Sequence, residues 1–514
     1  MRRRSIRKRF LLVGSAVFGV LMWTADRTVC QASSLSWSSI SGGDWGNSAN
    51  WNPQQTPTSA DDTTFALGAT SPYAVTLSAN EAANSITVSG DQVSINPEGN
   101  TLSVGTVSVG YILGGAPPAS TLNFAGSGTI NMSDLFGVGN GTVSQSGDYV
   151  NAADGLSLNS ALSTAKYLLS SGTLVASGGG EGIGNVGGIS QLAQSGGTNQ
   201  FNVMYIGSSM GIGCSYSLQG GSASGGSVTL QGNDAALTIA GGSLQLSGSI
   251  SATSNILAGL TLSAGTLEVG SINFSVPYNN ESASFGWTGG ALILHGGLAV
   301  GPMYHLNGSL QQSFSVPSGG TLISVGGGIG NALIVSSGAT LSIGNGSPST
   351  LRLSSINAGS MSASSTTIVQ VNGTTPGTGY SQLQGEDGEA DLGAYQGNFS
   401  LGGKLVFNLG YPAAVGDQFT IVDDVGPVEF GYTKFFNGTF AGLAQGAIFN
   451  EIYGGQTYGF QISYSGGGND DDAVVTTVYT PEPCTLGLLF VSACVVGMRC
   501  RRFGRSRKNS DLTA

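Results

Sequence analysis

Positively charged residues are scarce in this 514-residue chain, and nearly all of them lie at its two ends. Residues 33–480 contain four Lys or Arg against 25 Asp or Glu, which gives this body a formal charge of −21. Because nucleic-acid binding requires several cations that neutralise phosphates, we expect no nucleic-acid partner. The same repulsion disfavours anionic lipid headgroups, whereas neutral glycans and divalent cations remain acceptable partners.

Cysteine and histidine are also scarce. Four of the five cysteines lie in residues 1–32 or 481–514, so Cys214 is alone in the body and no intrachain disulfide forms there. We expect Cys214 to be a small packed residue. With only His295 and His305, a Ser-His-Asp or Cys-His catalytic arrangement is not credible. We predict that the chain is not an enzyme. The alternative is a β-helix enzyme acting on polysaccharides, because paired carboxylates are not recognisable from sequence spacing.

The N-terminus has the parts of a secretory signal peptide. A basic segment over residues 2–9 precedes an apolar core from Phe10 to Trp23. Cys30-Gln31-Ala32 then provides small residues at the positions that signal peptidase recognises. We predict cleavage after Ala32. Residues 1–32 are then a signal peptide, and the chain is exported by the secretion machinery.

The C-terminus contains a short motif, an apolar segment and a basic cluster, in that order. Pro481-Glu482-Pro483 is followed by an apolar run over residues 484–498 and then by Arg499, Arg501 and Arg502. Basic residues on one flank of an apolar helix are retained in the cytoplasm, so the arginines are a predicted stop-transfer signal. The run spans about 22 Å as a helix and crosses a core of about 30 Å by thinning the bilayer or by arginine snorkelling.

This arrangement resembles the PEP-CTERM sorting signal of Gram-negative bacteria, whose members are exosortase substrates. The resemblance implies that residues 481–502 form a sorting signal and transmembrane helix, followed by a basic cytoplasmic tail over residues 503–514. It also implies an inner-membrane-anchored intermediate, which an exosortase-like sorting protease handles before the protein reaches the cell surface or extracellular matrix. The alternative is an ordinary C-terminal membrane anchor.

Between the two ends, glycine is abundant and apolar residues recur at short intervals. The chain has 85 Gly, and its body repeats a turn of small residues followed by two or three alternating apolar positions. The first apolar residues of six repeats are separated by 16 to 30 positions: Val228, Leu244, Leu267, Leu292, Leu322 and Leu341. Short alternating strands between glycine turns are typical of stacked coils. We predict an all-β fold with a right-handed parallel β-helix (solenoid) over residues 96–375. A β-sandwich array is the alternative.

The segment before the repeats is rich in tryptophan. Residues 33–95 contain Trp37, Trp45 and Trp51, with the phrase Trp-Gly-Asn-Ser-Ala-Asn-Trp-Asn-Pro beginning at Trp45. This segment resembles the N-terminal part of autotransporter-type passengers. The resemblance implies that the indoles plug the first coil, and an open solenoid end needs such a cap. The alternative is that Trp45 and Trp51 stack on the rings of a glycan.

The segment after the repeats has cleaner alternation and more Phe and Tyr. We predict a separate C-terminal β module over residues 376–480. Phrases such as Leu-Gly-Gly-Lys-Leu-Val-Phe-Asn-Leu, which begins at Leu401, resemble the end of the autotransporter-associated β-strand repeat region of large bacterial surface proteins. The resemblance implies a surface location.

Two acidic clusters are candidates for a cation. Residues 466–472 end in three Asp on a glycine turn, and residues 386–391 form the second cluster. Ca²⁺ prefers several oxygen ligands on a flexible backbone. Because the glycine-aspartate pattern occurs once and does not repeat, we expect solvated acidic turns and no cofactor. Ca²⁺ at Asp470–Asp472 is the alternative.

Together these features predict an exported, envelope-sorted structural or adhesive protein. The PEP-CTERM resemblance implies a connection with exopolysaccharide and the biofilm matrix, in which such an adhesin would be held. A secreted polysaccharide-active enzyme or a glycan-binding module is the alternative function.

Overall fold

The computed structural model describes most of the body of the chain. The described ranges are 33–69, 71–110, 119–160, 163–184, 188–208, 213–232, 234–253, 258–274, 284–300, 313–354, 359–386, 399–425, 435–467 and 471–480. The predicted cleavage site at Ala32 and the whole C-terminal signal, with its Pro-Glu-Pro motif and arginines, lie outside the described residues. Within these ranges no helix is long and apolar enough to cross a membrane.

The described chain consists almost entirely of short strands, β1 to β44, with one 3-10 helix at Ser48–Asn50. Each coil contributes a strand to each of three faces, and equivalent strands of successive coils pair in parallel. The predicted all-β solenoid is confirmed, with a dozen or more coils. Its right-handedness stays a prediction.

Four long strands turn corners and belong to more than one face. They are β6 (Glu81–Val88), β8 (Thr101–Val109), β24 (Ala236–Ala252) and β25 (Gly259–Phe274). The other strands of face 1 are β1 (Ser34–Trp37), β4 (Asp62–Phe65), β11 (Phe136–Val138), β14 (Leu156–Leu158), β17 (Glu181–Ile183), β20 (Val203–Ile206), β23 (Ser227–Leu230), β28 (Leu298–Val300), β31 (Gly328–Ile329), β34 (Thr350–Ser354), β37 (Gln382–Glu386) and β40 (Gln418–Asp424).

Face 2 is formed by two sheets in succession. The first contains β2 (Gly43–Asp44), β5 (Tyr73–Thr76), β7 (Gln92–Asn96), β9 (Ser120–Ala125), β12 (Gly141–Ser146), β15 (Thr164–Leu169), β18 (Ile189–Gln194), β21 (Ser215–Leu218) and β26 (Ser284–Trp287). The second contains β29 (Ser313–Val316), β32 (Ala332–Val335), β35 (Ser360–Met361), β38 (Phe399–Leu401) and β41 (Phe436–Gly438). Phe314 of the second sheet stacks on Trp287 of the first, with ring centroids 5.6 Å apart.

Face 3 contains β10 (Thr129–Met132), β13 (Tyr149–Ala152), β16 (Thr173–Ala176), β19 (Thr198–Phe201), β22 (Ser222–Gly225), β27 (Ala291–Leu294), β30 (Thr321–Ser324), β33 (Thr340–Ile343), β36 (Thr366–Val371) and β39 (Lys404–Leu409). The remaining strands close the two ends: β3 (Trp51–Asn52), β42 (Ile448–Tyr453), β43 (Gln456–Gly466) and β44 (Asp472–Tyr479).

Alternation along each strand builds the core. In β16 the inward Leu174 and Ala176 are buried, while Thr173 lies toward solvent. In-register pairing then stacks inward residues of successive coils into ladders, and five of the six repeat markers, from Leu244 to Leu341, form one such ladder on face 3. The sixth marker, Val228, lies on face 1, so the interval of 16 residues is not a coil length.

A column of glycines makes the turn that leads into face 3. Gly197, Gly221, Gly242, Gly265 and Gly290 occupy this turn in successive coils, all with φ between +65° and +84°. A Cβ at Gly242 would lie 2.4 Å from the carbonyl oxygen of Gly221. Both the left-handed backbone and this close approach require glycine, which explains the glycine-rich turns that recur in the sequence.

The parallel ladders cross both predicted domain boundaries. β4 pairs with β6, β6 with β8 and β7 with β9, so residues 33–95 already form solenoid coils. Near the other end β36 pairs with β39 and β37 with β40, so the predicted separate module over 376–480 begins as further coils. In the described part of this C-terminal region, β42, β43 and β44 differ, because they pair antiparallel and close the end against β40.

The higher Phe and Tyr content near the C-terminus has a packing cause. Phe407 in a solenoid strand contacts Phe460 of the antiparallel closure, with centroids 4.9 Å apart, and Phe449 packs on both rings. Large rings fill the space that a further coil would otherwise occupy. The change in composition therefore marks the closed end of the solenoid and not a new domain.

Candidate functional site

The predicted cap residues form a buried aromatic cluster. Trp37, Trp45 and Trp51 pack around Phe65, with indole centroids 5.0 Å apart for both pairs that include Trp51. β3 pairs antiparallel with β1 and places Trp51 opposite Trp37. The cluster therefore fills the interior of the first coil.

Burial decides between the two readings of these tryptophans. Trp45 is 0% and Trp51 1% exposed, and the Trp51 Nε1 donates a hydrogen bond to the Trp45 carbonyl oxygen at 2.8 Å. Neither ring has a free face, so the alternative in which they stack on sugar rings is wrong for this folded state.

The acidic turn near the C-terminus is less solvated than expected. Asp472 is buried, and its Oδ1 accepts a hydrogen bond from the Asp424 amide at 3.0 Å. Burial raises the pKa of Asp472 to about 6 against the effect of that hydrogen bond, and the charges of Asp423, Asp471 and Asp424 add to the rise. Asp470 lies outside the described residues. The ranges described contain no group of three or more His, Cys, Asp or Glu suited to hold a metal ion.

A shallow polar groove lies on face 3, at its corner with face 1. Its volume is about 400 Å³, and its lining comes from consecutive coils: Ser224, Gly225, Gln245, Leu246, Ser247, Glu268, Gly270 and His295. In-register pairing of β22, β24 and β25 places Ser224 beside Gln245 and Gln245 beside Glu268. These three side chains form an outward row, each one coil from the next.

The carboxylate of Glu268 is held by two neighbours in this groove. The Gln245 Nε2 donates to one oxygen at 3.1 Å, and the His295 Nε2 lies 2.8 Å from the other. His295 directly follows β27, and its side chain is 45% exposed. The pair is separated by 27 residues. Sequence reasoning missed it because coil lengths vary, and the second histidine, His305, lies outside the described residues.

Inside the solenoid, two coils carry buried tyrosines that bond to glutamines of the coil before. The Tyr167 hydroxyl donates to the Gln145 Oε1 at 2.6 Å, and the Tyr216 hydroxyl donates to the Gln194 Oε1 at 2.6 Å. Each glutamine amide in turn donates to two main-chain carbonyls at the next corner. These bonds satisfy polar groups that would otherwise be costly to bury.

A buried carboxyl lies near these tyrosines. Glu181 occupies an inward position of face 1, between Leu156 and Met204 of the adjacent coils, and it is 0% exposed. Its Oε2 accepts from the Asn199 Nδ2 at 3.1 Å, whereas Oε1 has no hydrogen-bond partner among the residues that the structure describes. Burial raises the pKa of Glu181 to about 8, although the hydrogen bond from Asn199 opposes the rise. The sequence indicates this buried carboxyl only in that Glu181 occupies a position where the alternation predicts an apolar residue.

Cys214, the single cysteine of residues 33–480, was predicted to be a small packed residue. Cys214 is a free thiol, 1% exposed, and burial raises its pKa. The prediction of a packed small residue is confirmed. A raised pKa keeps the thiol protonated, which makes it a poor nucleophile.

No family model and no curated protein matches this chain.

Proposed function

We propose that this protein is an exported structural or adhesive solenoid, which is sorted to the envelope and held at the cell surface or in an exopolysaccharide matrix. The observation that carries the proposal is the order of the C-terminal elements: Pro481-Glu482-Pro483, the apolar run of residues 484–498 and the arginine cluster. A cleavable motif before a stop-transfer helix suits release from the membrane after export.

The body has physical properties that suit such a role. Its coils rise about 4.8 Å each, so a dozen or more coils make a rod of roughly 60 Å or longer. Parallel pairing on three faces stiffens the rod, and the formal charge of −21 over residues 33–480 keeps it soluble and repels polyanions. A stiff, acidic spacer can be cross-linked by divalent cations within a matrix.

Mass spectrometry of the intact protein from its native host tests the proposal. We expect material in the culture or matrix fraction that begins after Ala32 and ends near Pro481. If all of the protein stays in the membrane with residues 484–514 intact, the C-terminus is only an anchor and the sorting proposal is wrong.

A pair of variants identifies the sequence that the sorting protease reads. Replacement of Pro481, Glu482 and Pro483 by Ala leaves the apolar run and the arginines unchanged, and we expect the uncut chain to accumulate in the membrane. The matched control replaces three basic residues of the tail, Arg505, Arg507 and Lys508, by Gln. Release of the first variant at the normal rate would contradict recognition of the motif.

The chain is proposed to act without catalysis, and this statement is tested separately. Purified protein incubated with neutral and acidic polysaccharides should release no reducing ends or unsaturated products. Turnover of any of these polymers would favour the alternative, a secreted enzyme of the polysaccharide-active class.

A further inference from the structure

The polar groove on face 3 has a shape that a linear polymer can follow. Its lining residues recur once per coil over four coils, from Ser224 to His295. Neighbouring coils are about 4.8 Å apart, so the row of side chains extends over roughly 14 Å. The step between sugar units in an extended hexopyranose chain is close to this coil spacing, and each coil can therefore meet one unit.

The floor of the groove is kept open by packing. Gly270 is an outward position of the lining and has no side chain to extend into the groove. A Cβ at Gly270 would be 2.6 Å from the Gly248 carbonyl oxygen, whereas one at Gly225 would point inward, 2.3 Å from the Phe201 ring. Because Gly270 does not accept a larger residue without a shift of its neighbours, packing favours glycine at this point of the groove.

The groups in the groove match hydroxyl-rich ligands. The Glu268 carboxylate is held in place by Gln245 and His295, so it is oriented before any ligand arrives. The Ser247 hydroxyl, which is exposed, adds a group that donates and accepts. Sugar hydroxyls also donate and accept, and hydrogen bonds to a charged group are the stronger ones.

Other ligand classes fit less well. Leu246, the large apolar side chain of the lining, is only 2% exposed, so the apolar surface of the groove comes from glycine backbone and the carbon atoms of polar side chains, and it offers an apolar ligand little area. The Glu268 carboxylate and the acidic body repel an anionic chain. A peptide strand finds no free sheet edge, because β24 and β25 pair with strands on both sides along face 3.

We propose that this groove is a binding site for an uncharged polysaccharide chain, with Glu268 and His295 as its principal polar contacts. The proposal rests on the proposed extracellular function, since such a polymer is met outside the cell. It assigns binding to side chains on the outer wall of the solenoid and not to the buried tryptophans.

Isothermal titration calorimetry with the protein as it is purified from its host tests the site. The probes are neutral oligosaccharides of three to six units with glucose, xylose or mannose backbones, and polygalacturonate and alginate with and without Ca²⁺. We expect at least one neutral series to bind. Loss of a hydrogen bond to a charged group weakens binding by roughly ten- to a hundredfold, which we expect for both E268Q and H295Q.

The matched control is E98Q, which removes the same charge from an exposed turn outside the groove and should change the affinity by less than about twofold. Circular dichroism and melting of each variant check that the substitution leaves the fold intact. The proposal is overturned if no neutral probe binds, if only the anionic probes bind, or if E268Q and H295Q bind as the wild type does. Export and sorting of E268Q, followed in cell fractions, separate a failure of this site from a failure of the proposed function.

Discussion

Glu181 should make the solenoid lose stability as the pH rises, and E181Q should abolish most of that loss. The carboxyl is wholly buried, and its pKa is raised from the ordinary value of 4.5 to about 8. The folded state therefore keeps a proton that the unfolded state releases between pH 4.5 and 8. Stability is fully present below pH 4.5 and falls as the pH rises through that window.

The size of the effect follows from the shift. One pKa unit corresponds to 1.36 kcal/mol, so the wild type loses about 3 kcal/mol between pH 4.5 and 7 and about 4 kcal/mol by pH 8. Gln has nearly the same shape, has no proton to lose and still meets the Asn199 side chain. E181Q should therefore exceed the wild type in unfolding free energy by a few kcal/mol at pH 8 and by little at pH 4.5.

Urea unfolding followed by circular dichroism, at pH 6.5, 7.5 and 8.5, measures the difference. Burial also raises the pKa of Asp148, to about 6, and the comparison is made above that value so that Asp148 contributes little. An exposed matched substitution, E98Q, should leave the pH dependence unchanged. If wild type and E181Q lose stability in parallel between pH 6.5 and 8.5, the carboxylate of Glu181 is charged in the folded state and the reasoning is refuted.

Three further substitutions test the core and are measured by thermal or urea unfolding. Y216F leaves the buried Gln194 Oε1 without its donor and should cost about 1–3 kcal/mol; an unchanged midpoint would mean that water replaces the hydroxyl. G242A forces a Cβ to within 2.4 Å of a carbonyl oxygen at φ +65° and should cost more than about 2 kcal/mol, whereas G286A, whose Cβ would meet nothing closer than 3.8 Å, should change stability little. W45A removes a fully buried indole and should cost about 3–5 kcal/mol; a loss of glycan affinity with unchanged unfolding would contradict its assignment to the core.

The repeat pattern predicted the solenoid coils because each coil is determined by local features of the sequence. Alternation at positions such as Leu267 and Leu292 is visible in a few residues, and so are the glycines that precede them. The face to which each strand belongs was harder to predict, because the strands of all three faces have the same alternation of apolar and polar residues. Val228 was placed in the same series as Leu244, although the two lie on different faces.

The polar sites depend on register between coils, which sequence alone does not supply. Glu268 and His295 meet because the intervening coil and turn bring positions 27 residues apart onto neighbouring rungs. Glu181 and Asn199 meet across two faces inside the same coil, where the sequence shows only a polar residue among glycines. Coil lengths in this chain vary, so such neighbours are not found by counting along the sequence.

The two Tyr-Gln bonds inside the solenoid are the same arrangement copied 49 residues along the chain, which is two coils. In each copy the tyrosine needs its glutamine in the coil before, so inserting a coil between the two, or losing one of them, would leave a buried hydroxyl or a buried amide without its partner. Duplication or loss of a glutamine coil together with its tyrosine coil keeps every bond intact. We therefore expect gene duplication and recombination in this part of the rod to copy or remove the two coils together, a change of about 10 Å in length.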